Sequence, residues 1–122
     1  MRSFLLLATL AIGAQQPGPV GVWRGTSTCT PGHPTCHDEV VVYRIRAAGE
    51  RFEIAASKIV SGQEEFMGTV TCDYAAGTHA LSCPTSYGVW SFTISGRTMT
   101  GTLVVRGELF RNVSVARDSP RH

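Results

Sequence analysis

At 122 residues the chain has the length of one domain, and there is no room for a second core. Eleven Lys and Arg against nine Asp and Glu give a formal charge of +2, and the arginines are scattered with acids between them. That distribution excludes a basic patch for nucleic acid and an acidic tail, so no nucleic-acid partner is expected.

Met1-Arg2-Ser3 carries one positive charge, Phe4 to Ile12 is a short apolar run, and Gly13-Ala14 supplies the small residues of a cleavage site. Residues 1–14 therefore read as a signal peptide. The run is roughly half of the ~20 residues a helix needs to cross a bilayer. No later window is as apolar, so no membrane span is expected after cleavage. Gln15-Gln16-Pro17 follows, with the first cysteine at Cys29, which argues against a lipid anchor. The expected location is secreted or periplasmic, an oxidising setting in which the four cysteines pair as disulfides.

Residues 15–19 (QQPGP) read as a flexible leader, because glycine and two prolines suit neither a helix nor a sheet interior. The domain is expected over 20–117, with 118–122 as a C-terminal tail. Turn signals then recur at Pro31-Gly32, Gly49-Glu50, Ser61-Gly62, Ala76-Gly77, Pro84 to Ser86, Ser95-Gly96 and Gly107-Glu108. Seven turns imply eight strands.

Between the turns the pattern has period two. Val41, Tyr43 and Ile45 share a face, then Phe52 and Ile54, then Phe66, Val70, Cys72 and Tyr74 opposite Glu65, Thr69, Thr71 and Asp73. Trp90, Phe92 and Ile94 follow, then Met99, Leu103 and Val105, then Val113 and Val115. No window carries a helical stripe, so the fold class is all-β. Short links favour an antiparallel meander, and closing it removes both exposed edges. An eight-stranded up-and-down barrel is the first expectation and a two-sheet β-sandwich the alternative.

Counting outward from the Gly77-Thr78 turn brings Cys72 and Cys83 opposite each other, which predicts a disulfide across a hairpin. Cys29 and Cys36 bracket the loop TPGHPT and are expected to form the second bridge. The same loop places His33 and His37 among the thiols, a ligand set suited to zinc or copper. Export, the nonstandard spacing and the stiffness of Pro31 and Pro34 favour the bridge, so no metal or cofactor is expected. Nor is a catalytic constellation visible. Ser61, Ser86 and Ser95 belong to turns, Glu64 and Glu65 point to opposite faces of a strand, and His79 falls at a hairpin tip. Asn112-Val113-Ser114 matches a glycosylation sequon that strand alternation also produces.

Gly21-Val22-Trp23 at the opening of the first strand, followed by this meander, resembles the lipocalin and avidin group of barrels, the calycins. The resemblance implies that Trp23 plugs one end of the barrel. It also implies that an arginine from the last strand, Arg111 or Arg117, lies across the indole. A guanidinium over an indole face gains about 0.5–2 kcal/mol.

A barrel of this kind commonly holds a small molecule. The first functional expectation is thus a monomeric binding module for a small apolar or amphipathic ligand. Its wall is the set of apolar faces above, with Tyr43, Phe66, Trp90 and Phe92 as the bulky members, and Ala56, Gly68 and Gly101 leave space beside them. The second is a protein-interaction module, such as a hydrolase inhibitor, that presents the stapled Cys29–Cys36 loop to a protein target. An enzyme is not expected.

Overall fold

A computed structural model describes residues 18–118. The expected signal peptide, residues 15–17 of the leader and residues 119–122 of the tail lie outside them. The described residues form eight strands: β1 (Gly21–Cys29), β2 (Glu39–Ala48), β3 (Arg51–Val60), β4 (Gln63–Ala75), β5 (Ala80–Pro84), β6 (Val89–Ser95), β7 (Thr98–Val105) and β8 (Glu108–Arg117). Each pairs antiparallel with the next, and β8 returns to β1, which closes the barrel. The sandwich alternative is thereby excluded.

The turn residues explain the meander. Ser61-Gly62 and Arg106-Gly107 are two-residue hairpins with positive φ at both positions (53° and 78°, 50° and 78°). That geometry matches the right-handed twist of the flanking strands. The β2–β3 and β6–β7 hairpins instead open on Gly49 and Gly96, at φ 66° and 62°. The last two turns fall one residue away from their expected places, at Gly96-Arg97 and Arg106-Gly107. Gly96 alone takes the positive φ of its hairpin, whereas Arg106 shares it with Gly107.

The inward faces follow the expected alternation over most strands, with Val41, Tyr43, Ile45, Ile54, Cys72, Phe92, Ile94, Met99, Val113 and Val115 buried in one core. At the seam, β1 and β8 approach so closely that a Cβ on Gly25 would stand 2.0 Å from the Ser114 carbonyl oxygen. Two disulfides, Cys29–Cys36 and Cys72–Cys83, join the predicted pairs. Loop closure at these separations contributes about 2.5 to 3 kcal/mol each in the chain-entropy account. Cys72 and Cys83 are fully buried between β4 and β5. Two bridges of this kind are typical of an oxidising environment.

The first half of β4 is out of phase with the expected alternation. Gly68 pairs with Ala56 and Phe66 with Ser57, so Met67 is an extra residue in β4, a bulge. Because side chains alternate, one inserted residue sends everything before it to the opposite face. Phe66 therefore points outward and is 68% exposed. It is removed from the expected wall. A second bulge sits in β8, where Leu103 pairs with Arg111 and Val104 with Leu109, leaving Phe110 as the extra residue.

Candidate functional site

The two ends of the barrel differ. At the end where β1 begins, the Trp23 indole is fully buried and its Nε1–H donates to the Pro19 carbonyl at 3.0 Å. The Arg117 guanidinium lies 4.2 Å above the indole ring and donates to the carbonyls of Val20 (2.8 Å) and Gly18 (2.5 Å). Gly18 and Pro19, assigned to the flexible leader from sequence, are thus held by the barrel, and Pro19 is fully buried. On the other side of this end, Asp118 pairs with Arg24 at 2.9 Å and its N–H donates to the Val22 carbonyl. Burial against the indole, together with the neighbouring Arg97, draws the Arg117 pKa below the usual arginine range. This end is closed.

Arg111, the other candidate for the indole, is at the opposite end. It donates to the Ser27 carbonyl and hydroxyl (3.2 and 3.0 Å) and to the His37 carbonyl (2.9 Å), with the Glu39 carboxylate 3.7 Å away. One side chain thereby ties β8 to β1, to β2 and to the stapled loop. The loop is anchored further by the Thr30 hydroxyl, which donates to the Leu109 carbonyl at 2.8 Å, and by the Cys29 N–H, which donates to Asp38 at 2.8 Å. His33 packs on the Phe110 ring at 4.5 Å. Since Cys29 and Cys36 are joined to each other, neither thiol is free to ligate a metal.

Between these ends lies a cavity of about 660 Å³ that opens beside the stapled loop. Its inner wall is Tyr43, Ile54, Ala56, Val70, Trp90, Phe92 and Leu103, and its rim includes Glu39, Thr69, Thr85, Tyr87, Arg106 and Arg111. Three of the four expected bulky wall residues are present, and Phe66 is the exception. The Trp90 and Phe92 rings lie parallel with centroids 6.1 Å apart, and Phe92 meets the Tyr43 ring edge to face at 5.9 Å.

The expected space-leaving residues divide. Gly68, at φ 147°, has nothing within 4 Å of where a Cβ would stand and borders the cavity, as does Ala56. Gly101 does not. Its missing side chain is replaced by the Phe92 ring, 2.3 Å from the Cβ position, so this glycine permits packing instead of leaving room.

Met67, Tyr87, Arg106 and Phe110 also line the cavity, and the sequence pattern does not mark them as inward. Met67 and Phe110 are the two bulge residues, both at the open rim. Period-two reading gives no signal for such a position, and rims are where bulges concentrate. Leu103 and Val105 line the cavity from the inward face expected for them.

The rim offers directed polar groups. The Trp90 indole N–H donates to the Tyr87 hydroxyl at 2.9 Å. Burial, followed by the nearby Glu39 carboxylate, raises the Tyr43 pKa far above its ordinary value of 10, so its hydroxyl stays a neutral donor. Among the described residues that hydroxyl makes no hydrogen bond with protein, whereas the Tyr74 hydroxyl lies 3.5 Å from Nδ1 of His79, which is half-buried at its hairpin.

A second cavity of about 590 Å³ adjoins the first along the stapled loop and shares Glu39, Phe110 and Arg111 with it. Comparison with protein-family models, with curated proteins and with solved structures finds no match for this chain. The closed antiparallel eight-stranded barrel is consistent with a calycin-like architecture, and no family is assigned.

Proposed function

We propose that this protein is an exported binding module that holds a small apolar or amphipathic molecule inside the barrel, without transforming it. The observation that carries this reading is the cavity of about 660 Å³, closed by Trp23 and Arg117 at one end and open at the other. Its volume lies within the range of small-molecule sites, which pair apolar walls with a few placed polar groups. The aromatic wall of Tyr43, Trp90 and Phe92 would take the apolar body. The Tyr43 and Tyr87 hydroxyls and the rim arginines would take a polar end. Two disulfides and the apolar N-terminal run support a secreted or periplasmic location.

The test is titration with the neutral fluorophore N-phenyl-1-naphthylamine, read by the emission of Trp90. A Trp23→Phe variant removes the other tryptophan. Saturable, one-to-one quenching is expected, and Ala56→Phe, which fills part of the cavity without adding a tryptophan, should weaken it at least tenfold while the melting temperature holds. Unsaturable quenching, or equal binding by the filled variant, would remove the reading.

A second reading keeps the stapled loop as a probe for a protein target. It is favoured by the rigid anchoring of that loop and by the groove beside it, where Val40 and Val60 stand 51% and 39% exposed. Shortening the loop would abolish binding to such a target and leave the cavity intact.

A further inference from the structure

The barrel wall is incomplete at one place. β4 has thirteen residues and β5 only five, and just three pairs join them: Asp73 with Ser82, Tyr74 with Leu81 and Ala75 with Ala80. Gln63–Thr71 therefore pairs with β3 on one side and with no described strand on the other. Nine residues of free edge extend about 30 Å, and alternate residues direct their N–H and C=O groups outward. The chain segment across the gap offers nothing in return. Pro84 ends β5 without an N–H, and Thr85 spends its hydroxyl inside its own loop on Tyr87 and Gly88.

Side chains along this edge are open as well. From Gln63 to Met67 every residue is exposed, including those whose register points them inward, and Phe66 and Met67 stand 68% and 43% exposed. Behind the edge, Gly68 leaves open space against the apolar cavity. Glu64 is paired with Arg44, but Glu65, whose cross-strand neighbour is Lys58, has no ion pair among the described residues.

We propose that the free β4 edge from Gln63 to Thr71 docks an extended segment of a partner protein, with apolar side chains at the positions facing the cavity and a Lys or Arg that meets Glu65. Strand addition of this kind takes its affinity from main-chain hydrogen bonds and its specificity from the pockets that receive alternate side chains. A second copy of this chain fits poorly. Two β4 edges overlapped antiparallel over their full length centre on Met67, so the bulge of each would break the ladder of the other at its midpoint. A partner strand without a bulge meets no such conflict.

The inference goes beyond the cavity reading and can fail separately, because a guest inside the barrel need not pair with β4. The probe is a short peptide of alternating valine and threonine with a lysine near its C-terminus, which an antiparallel partner places beside Glu65, added to ¹⁵N-labelled protein while amide exchange is followed residue by residue. Outward amides between Gln63 and Thr71 should exchange freely in the protein alone and slow at least tenfold with the peptide. Methylating alternate backbone nitrogens of the peptide, or substituting Glu65→Lys, should weaken binding at least tenfold. Equal binding by the methylated peptide, protection elsewhere, or no binding would overturn the proposal. So would protection of β4 that grows with protein concentration alone, which would identify a second copy as the occupant. N-phenyl-1-naphthylamine emission, recorded in parallel, reports the cavity independently.

Discussion

Arg117 and Tyr43 show what single side chains do at the plugged end and in the cavity wall. Arg117 covers the indole and bonds two carbonyls of the incoming chain, so its removal should cost more than a charge. Arg117→Ala is expected to destabilise by about 2–3 kcal/mol. Arg117→Lys should recover at most half of that, since an ammonium cannot lie flat on the ring and serve both carbonyls. Chemical denaturation of the three proteins decides it. Tyr43 titrates above its ordinary value because it is buried and faces Glu39, so the folded state holds its proton more tightly than the unfolded chain does. The stability this provides is complete below pH 10 and is lost as pH rises beyond it. Melting curves on either side of pH 10 should fall less steeply for Tyr43→Phe.

The strands and their disulfides were legible because they depend on local chemistry. Glycine-bearing hairpins fixed the strand count, and the symmetric spacing of Cys72 and Cys83 about one turn fixed a bridge. Phe66 was misplaced for an equally physical reason. A bulge adds a residue without changing composition, and Glu65-Phe66-Met67-Gly68 reads as a strand in either phase. The choice between Arg111 and Arg117 was also closed to sequence, since both lie on β8 and only the closure of that strand onto β1 puts them at opposite ends. Deleting Met67 tests the bulge. Without it, Ser57–Phe66 and Ala56–Gly68 become successive pairs of one ladder with every side chain kept on its face, so a change of less than about 1 kcal/mol in chemical denaturation is expected. A loss of more than about 2 kcal/mol would mean that the bulge itself sets the bend of the barrel wall.

For the molecule as a whole, the open question in the sequence was whether the barrel is hollow. Small residues at inward positions suit both answers, and here they divide, with Gly101 filled by Phe92 and Gly68 open. Strand stagger decides this, and stagger follows from pairing across the whole barrel. The asymmetry then has one sense: a plugged end, a rim stiffened by the stapled loop and Arg111, and apolar walls between them. The most direct test is to map N-phenyl-1-naphthylamine by the amide and methyl chemical shifts of the labelled protein. Shifts should concentrate on Ile54, Val70, Trp90 and Leu103 and leave Trp23 and Arg117 unmoved. Shifts confined to the outer surface around Phe66, or none at saturating probe, would contradict a ligand-holding barrel.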